Sequence, residues 1–192
     1  VSFTTVENFE PIELKPIEVE NACRLARLRQ EAKEKSGAKH RVDWVEAGFG
    51  SHWLGLMGEM AVGRYLGFNV DRRILPGGDD SIDLQDSNAT IQVKTRAINL
   101  RTMPLHKLEM IFPPDTTFAA DYFVLCRMVN ITTIELIGWQ SREIVACQCI
   151  HREKAFNRET GACVFPAHRL YAMRYLKKEL AERPASRDSH CA

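Results

Sequence analysis

"DDSIDLQDSNATIQVKTR", Asp79–Arg96, is the stretch on which the fold turns. Two short runs, "SIDLQ" and "TIQVKT", alternate aliphatic and polar residues around "DSNA". Alternation with a period of two marks a half-buried strand, and Ser87-Asn88 between the runs are good turn formers. A turn centred there sets Asp86 opposite Ala89 and Asp83 opposite Gln92. Opposed residues on antiparallel neighbours share a face of the sheet, and Lys94, two residues past Gln92, joins that face. Ile82, Leu84, Ile91 and Val93 take the other. One register therefore sends four aliphatics to a core and gathers Asp83, Gln92 and Lys94 on the opposite side, and a slip of one residue would bury the polar trio. The plain reading is that the trio forms the solvent side of an edge hairpin. The chemical reading is that a carboxylate and an amide oxygen converge on one hard cation, with a lysine beside it to position and help deprotonate a water.

Further elements follow on both sides of the hairpin. Val1–Pro16 holds two prolines and no clear period, which predicts an extended N-terminal arm over 1–16. Ile17–Lys35 predicts a helix with a basic outer side that includes Arg24, Arg27 and Arg29. A second helix runs from Ser51, a good N-cap, to Leu66, with Gly67 as its stop. It carries an acid, Glu59, among Gly55, Gly58 and Gly63. Glycine inside a helix costs about 0.5–1 kcal/mol relative to alanine, so close approach of a strand or ligand is the expected reason for them. Beyond the hairpin, "LHKLEMIF", "DYFVLCRMV", "TTIELIGW" and "ACVFP" predict strands. "SREIVACQC" predicts a short helix, and "AHRLYAMRYLKKELAER" a C-terminal one, before a polar tail over 184–192. The order predicts one α/β (α+β) domain over 17–183 with a mixed, largely antiparallel central sheet flanked by helices.

Composition narrows the class. Hydrophobic residues are 45% and charged residues 27% of the 192, a soluble globular profile. The net charge of +1 neither favours nor excludes nucleic acid. No apolar run suits a bilayer and no signal-peptide pattern opens the sequence, so no membrane partner is expected. The six cysteines are read as reduced thiols. Cys147, Cys149, His151, Cys163 and His168 are zinc-ligand types, but their spacing is not a C-x2-C pair, and ordinary thiols are the preferred reading. Trp44, Trp53 and Trp139 are of a type that stacks on bases, with core or sheet-edge packing preferred for each.

The glutamate-bearing helix "GEMAVGRYLG", then "GDDSIDL", then "QVKT", together resemble the PD-(D/E)XK nuclease superfamily, small phage and bacterial members in particular. The later "ELIGWQSREI" and "CVFPAHRLYAM" look like segments that follow the core in such proteins, so the resemblance spans roughly Gly48–Met173 and is sharpest over Gly58–Thr95. It implies a restriction-endonuclease-like core and a Mg²⁺-dependent deoxyribonuclease, with Mn²⁺ able to substitute. Under it, Asp83, Gln92 and the Val93 carbonyl are the metal ligands, and Glu59 binds a second metal ion or holds a metal-bound water. Lys94 orients the attacking water, and Asp83, Gln92, Glu59 and Lys94 form the catalytic set. Gln92 departs from the usual Asp or Glu and brings no negative charge, which weakens metal binding. DNA is the implied partner, with Arg64, Arg72, Arg73, Arg96, Arg101 and Lys107 as candidate phosphate contacts, although ordinary surface charge is the better reading for any single one. Asp79 and Asp80 are read as turn formers ahead of outer-shell acids. Junction-resolvase-like selectivity, a homodimer and the cytoplasm of a bacterial or phage-infected cell belong to the same expectation. The alternative is a non-catalytic DNA-binding or assembly protein that keeps the fold with a degraded site; a zinc-stabilised interaction domain is the third reading.

Overall fold

The hairpin forms in the register that its alternation requires. Leu84 pairs Ile91 and Gln85 pairs Thr90, and Asp86 N–H donates to Ala89 O at 3.1 Å. The Asp86 side chain closes the turn by accepting the N–H groups of Asn88 and Ala89. The structure is a computed structural model that describes residues 9–37, 49–74, 82–97, 104, 107–113, 116–152 and 161–183. Asp79, Asp80, Arg101, Trp44 and the polar tail lie outside the described residues.

Nine strands and four α-helices are described. The main sheet has the order β1-β7-β6-β4-β3-β2. Its strands are β1 (Glu10–Glu13), β2 (Asn69–Val70), β3 (Leu84–Gln85), β4 (Thr90–Arg96), β6 (Tyr122–Met128) and β7 (Thr133–Ser141). Only the β4–β6 pair is parallel; the other four pairings are antiparallel. A second sheet, β5-β9-β8, is built from β5 (Glu109–Phe112), β8 (Ile150–Arg152) and β9 (Ala162–Pro166). Helices α1 (Pro16–Lys35), α2 (Phe49–Leu66), α3 (Arg142–Gln148) and α4 (Met173–Glu182) complete the described elements. The fold class is the α/β (α+β) one expected, with a mixed, largely antiparallel central sheet. None of the described helices is long and apolar enough to cross a membrane.

Two cores sandwich the main sheet. Ala22 and Ala26 of α1, Leu56, Met57, Ala61 and Val62 of α2, and Met173 and Leu176 of α4 pack on Leu84, Ile91, Val93 and Val124. The opposite face carries Phe123, Leu125 and Ile137, which pack against Met110, Phe112 and Phe165 of the second sheet. β6 is buried along its whole length as a result. Trp139 is buried in the first core, where its indole N–H donates to Ala172 O at 3.2 Å, and Trp53 packs on the same core.

Three elements differ from the sequence expectation. Residues 10–13, read as part of an arm, join the sheet as β1, with Pro11 opposite Glu135. An edge position tolerates the missing proline N–H. β8 was not anticipated. The C-terminal helix begins at Met173, not Ala167: Ala167–Arg169 is a single 3-10 turn, and Tyr171 pairs with Trp139 through two backbone hydrogen bonds of 2.9 Å. β1 covers only Thr133–Leu136 of its neighbour, so the next stretch of that edge takes its backbone partners from Tyr171.

The α2 glycines divide by cause. A Cβ at Gly58 would sit 1.9 Å from Thr95 Oγ1 and 3.2 Å from Val93 Cγ1, so β4 runs directly against this turn. One at Gly63 would meet Phe68 O at 2.9 Å and Leu84 Cδ2 at 3.3 Å, where the chain doubles back after the left-handed Gly67 (φ 81°). One at Gly55 meets only Glu59 Oε1, at an ordinary 3.7 Å. Asp121 supports the parallel pair from its end. Its carboxylate accepts the Thr90 N–H at 3.0 Å and the Thr90 hydroxyl at 2.9 Å, and faces Arg183 at 3.4 Å. Burial pushes this carboxyl up, but Thr90 and Arg183 outweigh it and hold its pKa below the usual value.

Two stability predictions follow from this packing. Gly55→Ala is expected to raise unfolding stability by about 0.5–1 kcal/mol through helix propensity, whereas Gly63→Ala lowers it by about 1–3 kcal/mol because a backbone oxygen must move. Urea midpoints of the two variants check the contrast. For Asp121, the depressed folded pKa stabilises the protein above the ordinary aspartate pKa near ~3.9, and that contribution is lost as pH falls through the lower, folded value. Asp121→Asn is therefore destabilised at pH 6–7, with the gap to wild type closing below about pH 4 in urea titrations at stepped pH.

Candidate active site

β3 is two residues long because Asp83 ends it. The Asp83 N–H still donates to Ile91 O at 2.9 Å, but the next ladder position is filled by a side chain: Asp83 Oδ2 accepts the Val93 N–H at 2.7 Å. The Asp83 carbonyl turns to the Asp71 N–H at 3.0 Å. A strand residue sends its N–H and C=O to the same side, so the Val93 carbonyl leaves β4 at the edge where the Asp83 carboxylate sits.

The polar trio keeps its register but not its expected surroundings. Across the parallel ladder Gln92 pairs Phe123 and Lys94 pairs Leu125, and both partners belong to the second core. The face read as solvent-exposed is covered by the second sheet. Asp83 is 7% exposed and Gln92 4%. That removes the plain reading of a solvated edge hairpin, since β4 is an inner strand. Among the described residues the Gln92 amide and the Lys94 ammonium have no hydrogen-bond or ion-pair partner. Lys94 Nζ lies 5.4 Å from the centroid of the Phe112 ring.

Glu59 arrives from the other face, on the helix packed against Val93 and Thr95. It is 5% exposed and has Arg29 Nη1 at 3.7 Å from its Oε1. Arg29 Nη2 also donates to Asp71 O at 2.8 Å, and Asp71 N–H binds the Asp83 carbonyl. So Asp83 and Val93 meet at the fork of the hairpin, Gln92 and Lys94 flank Val93 on the face toward the second sheet, and Glu59 is linked to the Asp83 backbone through Arg29 and Asp71. Sequence reasoning missed Arg29 and set it on the basic outer side of α1. It lies one helical turn from buried Ala26 and two from buried Ala22, and that small-residue stripe was the available signal.

The candidate donors are the Asp83 carboxylate, the Val93 carbonyl on the same side of β4, and the Gln92 amide oxygen on the face toward the second sheet, with Glu59 already facing a guanidinium. All are hard oxygens, the kind a Mg²⁺-class ion takes. No group of three or more His, Cys, Asp or Glu able to hold a metal forms among the described residues, and that covers Cys147, Cys149, His151, Cys163 and His168 as well. The Cys149 thiol packs against the second core, and burial followed by the neighbouring Cys163 pushes its pKa up.

Three of the candidate phosphate contacts are engaged within the chain. Arg64 donates to Glu13 O at 2.7 Å and pairs with Glu18 at 3.0 Å. Arg73 pairs with Asp71 at 2.8 Å. Arg96 points under the second sheet, where burial lowers the pKa of its guanidinium and Glu109 opposes that shift. Arg72 and Lys107 are exposed. Comparison of the chain with protein-family models, with curated proteins and with solved structures finds no significant match to any of them.

Proposed function

We propose that the protein is a metal-dependent deoxyribonuclease of the PD-(D/E)XK kind, with a restriction-endonuclease-like core, that hydrolyses DNA phosphodiester bonds. The observation that supports this reading is the fork: the Asp83 carboxylate held on the Val93 N–H at the strand edge, with Gln92 and Lys94 on the positions either side of Val93. Asp83, Gln92 and the Val93 carbonyl would hold the ion, and Glu59 is tied to the hairpin through Arg29 and Asp71. Bound Mg²⁺, or Mn²⁺ in its place, supplies Lewis acidity toward the phosphate and lowers the pKa of a bound water. Lys94 orients the attacking water and offsets negative charge that develops on the phosphate. The Val93–Asp83 hydrogen bond fixes the carboxylate before any ligand arrives. Among the described residues, exposed Arg72 and Lys107 are the candidates left to meet the DNA backbone, beside Arg101, which lies outside them. Junction-type selectivity, a homodimer and a cytoplasmic setting in a bacterial or phage-infected cell belong to the same proposal.

A second reading has its own support. Gln92 contributes no charge, and Arg29 already offsets Glu59, so the site holds less negative charge than a typical divalent-ion site. A DNA-binding or assembly protein with a degraded site fits those two features.

Supercoiled plasmid incubated with the protein distinguishes the two. The nuclease reading expects nicking or linearisation with Mg²⁺ or Mn²⁺ and none with EDTA. Asp83→Ala and Lys94→Ala each lower the rate by about 10²-fold or more. Gln92→Glu restores a formal charge and lowers the Mg²⁺ concentration for half-maximal rate. DNA binding without cleavage under either ion supports the second reading instead. A panel of single-strand, duplex, flap and four-way-junction substrates then reports selectivity.

A further inference from the structure

We infer that Phe112, on the second sheet, is a positioning residue for Lys94. Its ring face supports the ammonium while leaving the charge uncompensated. The inference rests on the nuclease reading for its catalytic consequence, but the contact itself stands on geometry.

Lys94 projects from β4 toward the second core, and its Nζ lies 5.4 Å from the Phe112 centroid, within the ~6 Å over which a ring quadrupole attracts a cation. Phe112 is fully buried and held by two other rings. Phe118 packs edge-on at 5.1 Å and 77°, Phe123 at 5.4 Å and 87°, and Phe118 meets Phe123 at 5.6 Å and 81°. Phe123 is also the ladder partner of Gln92, so the three-ring cluster underlies the whole Gln92–Lys94 segment. Edge-to-face contacts on this scale fix ring orientation.

The chemistry explains why an aromatic suits this place. A lysine side chain gives up much of its rotamer freedom when held still. A carboxylate would hold it but would cancel the charge that the phosphate needs. The face of a ring attracts the ammonium without cancelling it, and leaves N–H donors for a water and a phosphate oxygen. Among the described residues Lys94 has no acidic partner, in keeping with that role. The small sheet then contributes to the site through β5, in addition to closing a core.

Fluorinated phenylalanines test this, because they weaken the ring quadrupole at nearly constant shape. With 4-fluoro-, 3,5-difluoro- and 3,4,5-trifluorophenylalanine placed at position 112, kcat for Mg²⁺-dependent plasmid cleavage is expected to fall stepwise. The total is about 2- to 30-fold, the span that a cation over a ring covers, with KM for DNA unchanged. The same analogues at position 118 leave kcat within about 2-fold, since that ring does not face the ammonium. A flat series at 112, or an equal fall at 118, overturns the inference. A second arm does not depend on activity. The Lys94 Hε protons are expected to show an upfield ring-current displacement in proton NMR, abolished in Phe112→Leu, and its absence in the wild type overturns the contact. A wild type that cleaves nothing but shows this displacement sinks the nuclease reading and keeps the positioning contact.

Discussion

The hydrogen bond from the Val93 N–H to the Asp83 carboxylate, at 2.7 Å, is the constraint on which the rest of the site depends. A buried strand N–H left without an acceptor costs about 1–3 kcal/mol, and β3 stops one residue too early to supply a backbone oxygen. Asp83 supplies a charged one instead, which holds its carboxylate at the strand edge. The same bond lets the two strands part there. It therefore keeps the Asp83 carboxylate on the side of β4 to which the Val93 carbonyl turns. Removing the carboxylate would cost the Val93 N–H its acceptor together with the ligand proposed there.

β4 is enclosed by two unlike layers, and its side chains divide between them. Val93 and Thr95 face α2, and Gly58 lets that helix approach until a single methyl would not fit. Gln92 and Lys94 face the second sheet, where an aromatic cluster replaces water. Glu59 and Lys94 thus come from opposite sides of one strand, and they can share chemistry only at its free edge. Arg29 tempers that edge. It bridges α1, α2 and the strand that follows α2, and it sets positive charge against the helix acid before any ion is present.

Much of this was legible in the sequence for a definite reason. Ser87-Asn88 and the strict alternation on either side admit one register, so the pairing of Leu84 with Ile91 could be read directly. Gly67 ended α2 where a left-handed residue was needed. The burial of the polar face was not legible, because a period of two looks the same whether the second side meets water or another sheet. The sheet that decides the matter is made of strands of three to five residues, too short to announce a layer. β1 was hidden by Pro11 and two glutamates, residues that an edge strand accepts and an inner strand does not. The late start of α4 was hidden by good helix formers around Leu170, whose backbone answers instead to the uncovered edge beside Trp139. Arg29 was misplaced because the stripe that carries it inward is made of alanines, which leave little hydrophobic signal.

A divalent ion bound at the hairpin fork is what the proposed chemistry requires first. Paramagnetic broadening of backbone amide signals by substoichiometric Mn²⁺ addresses this without reference to catalysis. The account predicts that the amides of Asp83, Gln92 and Val93 broaden first and together, and that Asp83→Asn removes the effect while the remaining spectrum stays folded. Broadening that centres elsewhere in the chain, or leaves these three signals sharp at millimolar Mn²⁺, would contradict it.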